Sequence, residues 1–227
     1  MSLSVLDTVT LSGQIIHLCA AIMLLLSFAM LAQRRILTLI NLFMLQGLVL
    51  AVSTLVVALS TYQHHLLWSA GLTLLLKVII LPYILHRLIR RLSVKWDIET
   101  MLNIPTIMLI GIALVVIAVI VAQPISQLSG TVMRATIGIA LACVLLAFLM
   151  MITRSKAVPQ VIGFLSMENG LFFAATSATY GMPMVVELGI ALDVLVGMVI
   201  LGVFFFQIRE QFDSLDIRTM EKVRDQE

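Results

Sequence analysis

The 227-residue chain is 61% hydrophobic and only 11% charged, with a mean hydropathy of +1.14. Soluble domains run near a quarter charged, so these values exclude a soluble fold with an enlarged core. The formal net charge of +2 conceals a very uneven placement of charge along the chain.

The apolar residues come in repeated runs of about twenty, the length a helix needs to cross roughly 30 Å of hydrocarbon. A helix also satisfies its own backbone groups, which lipid cannot do. The pattern predicts an all-α, polytopic membrane protein of about seven transmembrane helices, at 12–32, 36–60, 65–86, 103–124, 132–152, 158–179 and 183–207. Ahead of the first span, MSLSVLDTVTLSGQ carries Asp7 and no Lys or Arg. That is not the basic region of a cleaved signal peptide, so the first span is read as a mature helix. Gln33-Arg34-Arg35 ends it, and Tyr62-Gln63-His64-His65 separates the second from the third. The third contains Pro82, which should bend it near its basic end, and a basic stretch from Arg87 to Lys95 closes it. Pro124, Ser126, Ser129 and Gly130 mark the next turn, Arg154-Ser155-Lys156 the one after, and Gly181-Met182-Pro183 the last. The mixed-charge tail after Gln207 reads as a short cytoplasmic helix or docking segment.

Twelve of the 14 Lys and Arg residues fall in the loops after spans one, three and five or in the tail. Arg134 alone lies on the opposite side, and Lys77 lies within a span. By the positive-inside rule the N-terminus is outside and the C-terminus cytoplasmic. Both cysteines, Cys19 and Cys143, lie in apolar spans without CxxC or Cys/His spacing and read as small core residues.

The sequence from Gln33, QRRILTLINLFMLQGLVLA, parallels that from Arg154, RSKAVPQVIGFLSMENGLFFA. A basic turn opens each, and a polar residue stands twelve positions after Arg34 (Gln46) and after Lys156 (Glu168). Upstream, Leu25–Met30 (LLSFAM) echoes Leu145–Met150 (LLAFLM). The reading is two parallel three-helix units joined by an extra helix: residues 1–100, a connecting helix in 101–130, a second unit at 131–207 and a tail at 208–227.

Ionisable groups inside these spans are the candidate functional residues. Each costs at least about 2.5–3.5 kcal/mol in hydrocarbon and therefore needs a partner, a proton or a water-filled cavity. Glu168, Asp193 and Gln46 are each the eleventh residue of a span and Lys77 the thirteenth. At 1.5 Å rise per residue all four lie ~15–20 Å from a membrane face, near the midplane. Burial disfavours a carboxylate and a nearby cation favours it, so Glu168 and Asp193 suit a proton relay, with Lys77 as the tuning cation. The plainer alternatives are a hydrogen-bonded core carboxyl for Glu168, with Asn169 or a nearby hydroxyl as partner, and a structural ion pair for Lys77. Gly189, Gly197 and Gly202 permit close helix approach around Asp193. Glu187, a turn from the outer end, and His17, in the first span, are weaker candidates, as is Gln46, which stands where the first repeat lacks its acid. Two cysteines cannot ligate a four-cysteine cluster, and the chain contains no Walker A loop, GxGxxG or HExxH. No catalytic, cofactor-binding or metal site is expected in this chain.

The stretches LSMENGLFFA, with Glu168, and ALDVLVGMVILG, with Asp193, resemble the two carboxylate-bearing helices of the K subunit of complex I (NADH–quinone oxidoreductase). There is one departure, Asp in place of Glu at the second position. A seven-helix chain with this C-terminal half and a lysine-bearing third span, WSAGLTLLLKVIILP, resembles the membrane component E of hydrogenase-4 and formate hydrogenlyase complexes. The resemblance implies a non-catalytic membrane subunit of a group 4 nickel–iron hydrogenase or a complex I-like assembly, in a bacterial or archaeal cytoplasmic membrane. Nickel–iron and iron–sulfur centres would then sit in partner subunits, beside antiporter-like membrane subunits. Glu168 and Asp193 would be links in a lateral proton path. The alternatives are a subunit of a multisubunit cation/proton antiporter, whose C subunit shares the small fold, a stand-alone secondary transporter, or a purely structural scaffold. The bilayer is the expected environment, and nucleic acid is not an expected partner.

Overall fold

The computed structural model describes residues 2–61, 64–92, 100, 102–127, 131–179 and 197. The chain divides into two compact units, Met1–Ile190 and Ala191–Glu227. Apart from Gly197, every described residue belongs to the first. The expected seventh span at 183–207, with Glu187 and Asp193, lies outside the described residues.

The described part is all-α apart from isolated bridge residues, among them the backbone bridge from Thr100 to Arg154. It comprises six helical rods. They are α1 (Ser2–Ala32), α2 (Ile36–Thr61), a composite third rod, α5 (Ile104–Gln127), α6 (Thr131–Thr153) and α7 (Ala157–Thr179). The third rod is α3 (His64–Thr73), a π-helical segment (Leu74–Ile80) and α4 (Leu81–Leu92). Among the described residues five stretches are long and apolar enough to cross a bilayer: Leu11–Ala32, Ile36–Ser60, Ala70–Arg87, Ile104–Pro124 and Thr136–Thr153. The chain is a multi-pass membrane protein.

The expected boundaries of the first six helices match the observed ones within a few residues, except at the N-terminus and at the end of the third rod, which runs to Leu92 instead of 86 and so takes in Arg87, Arg90 and Arg91. At the N-terminus α1 begins about ten residues before the apolar run, which itself starts at Leu11. Pro124, expected to mark a turn, sits inside α5, and Ile125, Ser126 and Gln127 complete the last turn beyond it.

The main core cluster is built where α1, α2, α6 and α7 meet, from residues such as Met23, Leu50, Ala140 and Phe173. Both cysteines belong to it as free, buried thiols. The third rod packs against α2, and α5 packs against α6 and α1. The outward face of α5 is apolar along its length: Leu109 is 71% exposed and Ile112, Val116 and Ile120 are exposed too. In water such a face would be an aggregation surface, whereas in hydrocarbon it is ordinary.

The bend expected at Pro82 takes the form of the π segment in the turns just before it. Proline has no N–H to donate, and in a regular helix its ring meets the carbonyl four residues back, here that of Val78. Widening the ladder ahead of Pro82 relieves that contact, and Leu81 N–H donates to Leu76 O, five residues back. The widening also sets the register of the buried face. Ala70, Thr73, Lys77, Leu81 and Leu85 are all buried, and from Thr73 onward they recur every fourth residue. In a pure α-helix that spacing drifts by about 40° per step, so the stripe would wind away from α2. The extra residue per hydrogen-bonded ring holds Lys77 on the inward face.

A buried polar cluster as candidate functional site

Five polar side chains from four elements meet within the bundle. Ser27 comes from α1, Gln46 from α2, Lys77 from the π segment, and Glu168 and Asn169 from α7. Each is at most 4% exposed. Gln46 and Glu168 both lie near the middle of their helices, as does Lys77 within the span Ala70–Arg87.

The cluster has an ionic half and a neutral half. In the ionic half, Lys77 Nζ donates to Glu168 Oε1 at 3.2 Å. The ammonium also lies 5.7 Å from the centre of the Phe172 ring, one turn further along α7, within range of a cation–π contact. The lysine can enter because α2 presents Gly47 to it. A Cβ built on Gly47 would stand 3.1 Å from Lys77 Cβ, so a side chain there would push the lysine backbone away.

The neutral half is a directional chain. Ser27 Oγ donates to Met23 O at 2.9 Å, and a carbonyl can only accept. The serine oxygen is therefore the acceptor for Gln46 Nε2, at 3.1 Å. Gln46 Oε1 in turn accepts from Asn169 Nδ2 at 3.3 Å. Asn169 Oδ1 ends the chain, buried and with no hydrogen-bond partner among the described residues. Backbone geometry at Met23 thus fixes the amide orientations of two residues on two other helices.

This arrangement sorts the sequence candidates. Lys77, Glu168 and Gln46 come together. The expectation that Asn169 partners Glu168 is met differently: the neighbour turns to Gln46 and the carboxylate takes the lysine. His17 is half-buried, ten residues before Ser27 on α1, and stands about 15 Å along the axis from the cluster. Glu187 and Asp193 lie outside the described residues. Sequence reasoning missed Ser27 and Phe172. A serine in a transmembrane helix commonly bonds its own backbone, as Ser27 does, and nothing in its local sequence singles it out.

A second buried polar group, Arg154, falls by sequence among the basic residues of the loop after the fifth span. It is instead fully buried. Its Nη2 donates to Leu31 O and Gln33 O, both at 2.8 Å, and more weakly to Met30 O at 3.3 Å. These are carbonyls that the end of α1 leaves without intrahelical donors, and a cation there also complements the helix dipole. Burial pulls the guanidinium down to about 10, which still leaves it charged at neutral pH. Arg154 ends α6, so the C-terminal ends of α1 and α6 lie side by side. The Thr100–Arg154 bridge brings the segment after the third rod to the same end.

Among the described residues no group of His, Cys, Asp and Glu is placed to hold a metal ion.

Comparison with known proteins gives the family. Over 194 residues the chain is 30% identical to the uncharacterized protein Rv0085 of Mycobacterium tuberculosis, covering 85% of this chain and 88% of that protein. The chain belongs to the same family as Rv0085. It is also 22% identical over 162 residues to hydrogenase-4 component E of Escherichia coli K12, covering 71% of this chain and 74% of that protein. The component E of Shigella flexneri matches equally. This member of the Rv0085 family is therefore a membrane protein distantly related to hydrogenase-4 component E. No family model matches the chain, and no solved structure gives a significant match.

Proposed function

We propose that the chain is an integral-membrane subunit of a hydrogenase-4-type or complex I-like assembly, in which it contributes a mid-membrane segment of a proton path and helps anchor the membrane arm. One observation carries this reading: a lysine and a glutamate, in the middle of two different helices, form a buried ion pair. Charges at that depth are costly, and a lysine whose separation from a carboxylate changes would alter that carboxylate's hold on a proton. Glu168 is the proton-carrying group in this reading, Lys77 the tuning cation and Asp193 the next carboxylate. The distant relation to component E supports membership of a larger complex. Its nickel–iron and iron–sulfur chemistry would reside in other subunits, with antiporter-like subunits alongside.

The same reading includes a seventh span carrying Asp193, a C-terminal half like the complex I K subunit, and two parallel three-helix units. Three contacts support the duplication. Helix α1 packs against α6, α2 packs against α7, and Gln46 bonds Asn169, the neighbour of its counterpart Glu168. Arg154 adds to it, because capping the end of α1 from the end of α6 requires the two helices to run in the same direction. The gathering of three basic loops at one end also supports an N-terminus outside and a cytoplasmic C-terminus in a prokaryotic inner membrane.

A second reading, a structural scaffold, is favoured by the enclosure of the neutral half of the cluster, whose three members bond one another in sequence across three helices. Glu168→Gln and Asp193→Asn in the assembled complex separate the two. A relay predicts that the double variant assembles normally while proton-coupled turnover falls by at least about a hundredfold, the lower range for removing a proton-transfer group. Full proton-coupled activity with both changes would leave only the scaffold.

A further inference from the structure

A groove of about 670 Å³ opens between α2 and the third rod, on the outward side of the π segment. That size falls within the roughly 300–1,000 Å³ of ligand pockets. Its walls are Met44, Val78, Ile79 and Pro82, and its polar residues, Tyr83, His86 and Arg87, all come from α4 beyond Pro82. Polarity therefore changes in one direction along the groove, from apolar beside the π segment to cationic at Arg87, the last residue of the candidate span.

The polar end is organised by the chain itself. Arg87 Nη1 donates to Tyr83 Oη at 3.4 Å, which ties together two residues that line the groove. His86 Nδ1 lies 2.9 Å from Pro82 O. A carbonyl cannot donate, so Nδ1 carries the proton and Nε2 is the nitrogen left for another partner. Arg90 and Arg91 follow in the same helix, which carries no acidic residue.

We propose that this groove is a binding site for an anionic phospholipid. Its phosphate is held by Arg87 with Tyr83 and His86, and one acyl chain lies against Met44, Val78, Ile79 and Pro82. The charge is complementary, and the cationic end falls where a span meets the headgroups. Basic pockets between transmembrane helices recognise anionic headgroups in this way. A partner helix would account for the apolar walls but not for the cationic end. Inorganic phosphate would account for the cations but not for the walls.

Native mass spectrometry of the full chain released from detergent micelles tests this, with dioleoyl-phosphatidylglycerol, dioleoyl-phosphatidylcholine and inorganic phosphate offered separately and then in competition. The expected result is about fivefold preferential retention of phosphatidylglycerol over phosphatidylcholine, the size of effect one surface cation confers. Arg87→Gln, at an exposed position, should abolish that preference. Met44→Trp, which narrows the groove without changing charge, should reduce phosphatidylglycerol retention. Equal retention of the two lipids overturns the proposal, as does selectivity that survives both substitutions. Displacement of phosphatidylglycerol by inorganic phosphate at equal concentration would also overturn it, since it marks a bare anion site.

Discussion

Lys77→Met is expected to destabilise the folded chain by about 3–5 kcal/mol, because it strands the Glu168 carboxylate in a buried site without its counter-ion. The companion double variant, Lys77→Met with Glu168→Gln, is expected to recover most of that loss. An uncharged pair of similar volume removes the attraction and the desolvation cost together, and such replacements are often neutral or stabilising. Reversible unfolding of the single and double variants in the same detergent measures the difference. If the double variant is as unstable as the single, the lysine contributes through packing, with its stem beside Gly47 and its ammonium over Phe172, and the ionic account fails. The design matters because a buried ion pair is weak evidence for net stability even when breaking it is severe.

Arg154→Ala has the second-largest expected effect, a loss of about 3 kcal/mol. Nη2 has two hydrogens and makes two short contacts, and each hydrogen bond from a charged group contributes about 1.5–3 kcal/mol. Arg154→Lys should restore only part of this. A lysine carries the charge, but its stem is shorter, and it must reach carbonyls that Arg154 meets with Nη2 alone, at the far end of the guanidinium. Hydrogen exchange supplies the local readout, with faster exchange in the last turn of α1 in both variants and the larger effect in the alanine. Unchanged exchange there would show that the α1 end is held by other contacts.

The helices and the charged half of the site were legible in the sequence for one reason: hydrocarbon imposes simple costs. Apolar runs of fixed length gave six helices within a few residues over most boundaries, and the expense of burying charge singled out Lys77 and Glu168. Pairing was another matter. Nothing in the local sequence says that Lys77 meets Glu168, 91 residues away, because the contact depends on how the third rod packs against α2 and α7. The bend at Pro82 was readable, but its form as a π segment that keeps Lys77 inward was not. Gln46 stood out only by its place in the apparent repeat, and Ser27 did not stand out at all.

Arg154 shows the opposite failure. A basic residue at the end of an apolar run, followed by Ser155 and Lys156, has the same local signature whether it faces solvent or caps a neighbouring helix. The charge pattern placed it correctly at one end of the bundle and said nothing of its burial.

The central claim is that Glu168 exchanges its proton under the control of Lys77. Infrared difference spectroscopy of the protein in lipid, titrated across neutral pH in H₂O and D₂O, reads this directly. The account predicts a protonated-carboxyl band that responds to pH, disappears in Glu168→Gln, and shifts its midpoint by at least about one pH unit in Lys77→Met, the scale of a close charge's effect. A Glu168 carboxyl that stays in one protonation state throughout, unaffected by Lys77→Met, would contradict it.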